Sequence, residues 1–93
     1  MHVRISVGES FPVAARVIAD NIILCEVFLR FDELVLEETT GNSNPSTFVG
    51  PHVEREVLWE LRGKRAAAET TIRLDASGDG LPQLSEFTVE VIP

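Results

Sequence analysis

The sequence predicts an all-β fold, a two-sheet antiparallel sandwich of about seven strands. Three observations predict it. Apolar and polar residues alternate with period two in run after run, each run closes on a turn signal, and β-branched residues are dense throughout. The clearest run sets Val53, Val57, Trp59 and Leu61 against Glu54, Glu56, Glu60 and Arg62. Only a strand places those two sets on opposite faces.

The elements follow in chain order. Val3, Ile5 and Val7 alternate with His2, Arg4 and Ser6; Phe11, Val13, Ala15 and Val17 then alternate with Pro12, Ala14, Arg16 and Ile18. In the third run Ile23, Cys25, Val27, Leu29 and Phe31 share a core face, while Leu24, Glu26, Phe28 and Arg30 share the other. The corner Asp32-Glu33 leads to a short run, Leu34-Val35-Leu36. The stretch from Thr39 to Thr47 has no period and reads as a loop, docked by Phe48 and Val49. Beyond Gly50-Pro51 the Trp59 strand runs to a turn at Gly63-Lys64-Arg65. Ile72, Leu74 and Ala76 form the inner face of the next strand, and Phe87, Val89 and Val91 that of the last. A helical reading competes over Pro12 to Asp20 and Glu54 to Ala68. Strict alternation, together with the cost of about 1 kcal/mol for Gly63 in a helix interior, favours strands in both. The predicted core is therefore Phe11, Val27, Leu29, Trp59, Leu74, Phe87 and Val89.

A chain of 93 residues has room for one domain with a core about 10 Å thick between its sheets. The formal charge of -7 and pI near 4.7 argue against nucleic acid as a partner, because phosphate binding draws its affinity from Lys and Arg. They disfavour an anionic membrane surface for the same reason, and no apolar run is long enough for direct membrane insertion. The single cysteine, Cys25, falls at a core position and has no partner for an internal disulfide; it reads as a small buried apolar residue. Strand-like sequence runs from residue 2 almost to Pro93. The expectation is a domain of a longer chain, with a signal sequence upstream and neighbouring domains as its first partners.

The string from Asp75 to Glu86 is the most motif-like in the chain. On the calcium loop of about twelve residues in an EF-hand, it places Asp75, Ser77 and Asp79 at positions one, three and five, Gly80 at six and Glu86 at twelve. Such hard oxygen ligands suit calcium, but an EF-hand needs flanking helices where this chain alternates as strands. The expected structure is a turn between the last two strands, with a weak non-EF calcium site at Asp75, Ser77, Asp79 and Glu86 as the alternative. His52, Glu54 and Glu56 project from one strand face, about 6 to 7 Å apart. They read as a solvated polar face rather than a metal site, since three ligands in a row diverge. Two histidines support no Ser/His/Asp arrangement, no glycine-rich loop opens a helix, and Glu37 and Glu38 read as loop or edge charges. No enzyme is expected. Trp59 has core parity, the alternative being a sugar-stacking platform. Ile18, Leu24 and Phe28 share the parity opposite to the core and form a candidate contact strip, unless loops cover it.

In its order of features the chain resembles the immunoglobulin-like repeat modules of bacterial and archaeal cell-surface proteins, of the cell-adhesion-related type. The resemblance is carried by Val7-Gly8-Glu9-Ser10-Phe11-Pro12-Val13, by Val57-Leu58-Trp59-Glu60-Leu61, by Thr71-Ile72-Arg73-Leu74-Asp75-Ala76-Ser77 and by Phe87-Thr88-Val89-Glu90-Val91. The corner Arg30-Phe31-Asp32-Glu33-Leu34 also looks like that of cohesin-type surface sandwiches, although the long loop and short total length depart from them. The resemblance implies an immunoglobulin-like, non-catalytic, extracellular or cell-surface module acting as spacer or as protein or glycan contact surface. A calcium-stabilised carbohydrate-binding module is the rival reading.

Overall fold

A computed structural model describes residues 2–19, 24–49, 52–77 and 83–93. Among these residues lie eight strands and no helix: β1 (His2–Ser6), β2 (Ser10–Ala19), β3 (Leu24–Arg30), β4 (Leu36–Glu38), β5 (Ser46–Val49), β6 (Val53–Gly63), β7 (Ala67–Ser77) and β8 (Gln83–Ile92). Strands cover most of both segments with a competing helical reading, β2 the first and β6 the greater part of the second. Alternation wins there because β2 and β6 each bury one face, and a helix would scatter Phe11, Val13 and Val17 around its axis.

The strands form a five-stranded sheet, β1-β8-β7-β3-β5, and a three-stranded sheet, β2-β6-β4. Their inner faces share one core, so the architecture is the predicted two-sheet sandwich. One pairing departs from the antiparallel arrangement, and one further strand extends it. β1 leaves the β2 sheet and pairs in parallel with β8, with Val3 opposite Val89 and Ile5 opposite Val91. β5 adds to the outer side of β3, with Cys25 opposite Phe48.

The G1-type bulge at Gly8 makes this switch of sheets within a few residues. Gly8 has φ +90, its amide donates to the Gly63 carbonyl at 2.8 Å, and the Gly63 amide donates to Glu9 at 3.0 Å. Two residues of one strand thus face a single residue of the other. A positive φ of this kind is what glycine allows without a Cβ clash.

At the centre of the core Trp59, Leu61, Leu36, Ile72 and Val89 are fully buried, closely surrounded by Leu29, Val27 and Val91. Five of the predicted core residues are buried; Leu74 and Phe87 are instead half-buried against the cluster. Cys25 is buried as expected, and burial pushes its thiol pKa up. Leu34 is exposed, so β4 starts at Leu36, not at Leu34. Gly63 is a buried strand residue rather than the first residue of a turn.

The stretch read as a loop ends in an additional strand, β5. Its register is fixed by Ser46, buried opposite Val27, and by half-buried Phe48, whereas Val49 points out and docks nothing. Ahead of β5 the chain is held by side-chain bonds that have no hydropathy signature. Asn42 Nδ2 donates to the Leu58 carbonyl at 2.6 Å. The Asn44 amide both accepts from the Leu29 amide at 2.9 Å and donates to the Leu29 carbonyl at 2.8 Å, continuing the β3/β5 ladder with a side chain. The Ser43 carbonyl accepts from Ser46 Oγ at 2.7 Å and from Trp59 Nε1 at 3.2 Å. The indole is therefore both buried and satisfied.

Candidate interaction surface

The outer face of the five-stranded sheet collects the charged and apolar side chains that the core excludes. Register brings Glu26 beside Ser77, Phe28 beside Asp75 and Arg30 beside Arg73 across β3 and β7; Asp75 then lies beside Leu84, and Arg73 beside Glu86, across β7 and β8. Directly paired residues of an antiparallel ladder share a face, so these groups form one continuous surface. Ion pairs cross it between adjacent strands: Arg30 Nε to Asp75 Oδ2 at 2.6 Å, Arg73 Nε to Glu86 Oε1 at 3.7 Å and Arg4 Nε to Glu90 Oε1 at 3.5 Å. Each is at least partly exposed, so it stabilises the fold by little and chiefly balances charge across the face.

On this face Phe28 and Arg30 stand next to each other, two residues apart on β3. The guanidinium carbon of Arg30 sits 4.5 Å from the Phe28 ring centroid, within cation–π range. Together they make a ridge with a depression on either side. One, of about 360 Å³, is lined by Glu26, Asp75, Ala76, Ser77 and Leu84 in addition to the ridge. The other, of about 450 Å³, is bounded by Leu29, Phe31, Glu33, Glu38 and Asn44. Leu24 and Val49, opposite one another at the end of β3 and β5, are 56% and 74% exposed, and Leu84 is 50% exposed.

The predicted contact strip is divided by the topology. Leu24 and Phe28 lie on this surface, but Ile18 belongs to β2 in the other sheet, where it pairs with Glu54 on the opposite outer face of the sandwich. Equal parity in two strands implies a shared surface only if they share a sheet. The sequence marks Arg30 only as sharing the parity of Phe28 and Val49 only as docking the loop, and it gives Leu84 no role.

Of the residues considered for calcium, Asp75, Ser77 and Glu86 lie on this same outer face of the larger sheet. Asp75 is half-buried within β7 and bound to Arg30, Ser77 is exposed at the end of β7, and Glu86 is an exposed β8 residue facing Arg73. Asp79 lies outside the described residues. Positions one and three of the supposed loop, and position twelve, are thus strand positions, and two of their carboxylates already face arginines. His52, Glu54 and Glu56 are exposed, with Glu54 ion-paired to Arg16 across β2 and β6. Among the described residues no three His, Cys, Asp or Glu side chains converge as metal ligands do.

Glu37 and Glu38 have distinct structural roles. Glu37 pairs with Arg62 across β4 and β6. Partial burial pushes the Glu38 carboxyl up, but hydrogen bonds from Thr40 Oγ1, the Thr40 and Gly41 amides and the Glu60 backbone outweigh it, and the net shift is downward. Glu38 thereby shapes the turn that walls the larger depression. No protein-family model matches this chain, and no curated protein matches it either.

Proposed function

We propose that this chain is a non-catalytic immunoglobulin-like module of a larger extracytoplasmic, cell-surface protein, serving as a spacer that contacts a protein ligand through the Phe28/Arg30 ridge. The observation that carries this reading is the combination on one outer face of an arginine-capped aromatic, exposed aliphatic residues and two flanking depressions. Aromatic residues and arginine are the types enriched at protein interfaces, and a ridge between hollows suits a complementary surface. Protein is favoured over glycan because Trp59 is internal and Arg30 lies over Phe28, so neither ring offers a bare platform. The resemblance to surface-protein repeat modules supports the same reading.

The test is a fractionated immunoblot of the native source with an antibody to this domain. The expected result is a polypeptide much larger than 10.3 kDa in the surface or secreted fraction. A band near that mass in the cytosol would sink the proposal.

A further inference from the structure

The unpaired edge of β2 carries an inference separate from the ridge. Sheet order leaves four edges among the described strands: β1, β4 and β5 are five, three and four residues long, whereas β2 runs for ten. Short edges resist pairing with another chain, and a long one invites it. β2 is left open because β1, the strand before it, has gone to the other sheet.

The hydrogen-bonding phase of that edge follows from the bulge. The Gly63 amide bonds Glu9, so alternation turns the backbone groups of Phe11, Ala15 and Val17 towards β6 and those of Ser10, Ala14, Arg16 and Ile18 outwards. Pro12 has the outward phase too, where its missing N–H breaks no bond within the chain. The edge also flanks a cleft of about 220 Å³ between the sheets, where Ala15 is the small inward residue and Val27, Leu74 and Ala76 form the far wall. A strand added to β2 would cover its mouth.

We propose that a second copy of this chain pairs there, β2 against β2 and antiparallel, about a two-fold axis at Ala14. In this register the two Ala14 residues exchange both backbone bonds, Arg16 donates to the Pro12 carbonyl of the second copy, and Ile18 meets Ser10. The outer face then carries an unbroken apolar row of Leu58, Ala14, Ala14 and Leu58, since Leu58 pairs with Ala14 within each chain. Leu58 is 49% exposed in the single chain. Charge selects the register. Shifting the axis to Arg16 would set two guanidinium groups side by side, whereas at Ala14 each Arg16 faces Pro12 with the second copy's Glu60 beyond it. β2 contains no acidic residue, so no two carboxylates are set directly opposite one another across this contact.

Sedimentation equilibrium and thiol cross-linking of the intact chain test the proposal. A single strand-to-strand contact is smaller than a standard interface, so association should appear at high protein concentration, up to about 1 mM. Ala14→Lys alters an exposed edge position and should leave the melt unchanged while abolishing dimers. Ala14→Cys should cross-link through a short bifunctional thiol reagent, because hydrogen-bonded partners lie about 5.5 Å apart at Cα with their side chains on one face. Arg16→Cys should not, its two copies being about 14 Å apart along the strands. The native chain, with Cys25 buried, provides the control. A monomer throughout that range, a dimer that survives Ala14→Lys, or cross-linking at Arg16→Cys equal to that at Ala14→Cys would each overturn the proposal.

Discussion

Glu38 shows how one side chain can serve shape rather than chemistry. It gathers the Thr40 hydroxyl and the Thr40 and Gly41 amides, at 2.8 and 2.9 Å for the two amides, and so folds the chain back after β4. Its pKa lies below the ordinary 4.5 in the folded state. The stability it contributes is therefore fully present above that value and is lost as pH falls through the lower folded value. Glu38→Gln should melt below the native protein at neutral pH, with the gap closing as pH drops beneath the ordinary carboxylate range. A gap that stays constant with pH would show that the hydrogen bonds do not depend on the charge. The sequence marks Glu38 only as a loop or edge charge, because the bonds that matter come from a turn without periodicity. Asn44 is equally silent in sequence, yet it supplies both partners of Leu29 just ahead of β5.

At the level of the element, β6 is the central strand of the smaller sheet, and its Gly63 packs closely against β1 and β8 of the larger one. A Cβ added there would meet Val91 Cγ1 at 2.9 Å, Ile5 Cδ1 at 3.3 Å and the Ser6 carbonyl oxygen at 3.3 Å. Val91 is 2% exposed and Ile5 5% exposed, so neither has free space to yield into. Gly63→Ala should destabilise the protein by about 1–3 kcal/mol, the usual range for overpacking, measured by denaturant unfolding. Gly41 provides the contrast, with a φ of +74 and no atom within 4 Å of an added Cβ. A Gly63→Ala protein as stable as the native one would mean that β1 moves away at little cost. Alternation in the sequence predicts β6 as a strand up to Arg62; Gly63 reads as a turn because composition does not reveal close approach.

Across the whole molecule the two sheets share one core, and Trp59, the single tryptophan, lies at its centre. Its fluorescence should be blue-shifted, protected from quencher and unchanged by added sugar, and it should report global unfolding as one transition. The same melt tests the Asp75 to Glu86 segment. With Asp75 facing Arg30 and Glu86 facing Arg73, the melting temperature should shift by less than about 1 °C on adding a chelator, whereas an ion at 100 times its Kd would add about 2.7 kcal/mol. A larger drop would restore calcium to that segment.

What the sequence determined by itself is the all-β class, the inward and outward sets of most strands and the buried state of Trp59 and Cys25. Period-two alternation records which side chains leave water, and that is a local property. Tertiary structure alone decided which sheet each strand joined. It divided Ile18 from Leu24 and Phe28, set Arg30 against Asp75, and sent β1 to β8 so that β2 became a free edge. Those outcomes depend on strand pairing between residues distant in the chain, fixed by how the buried side chains of two sheets fit together, and hydropathy along a single strand carries no record of its neighbour.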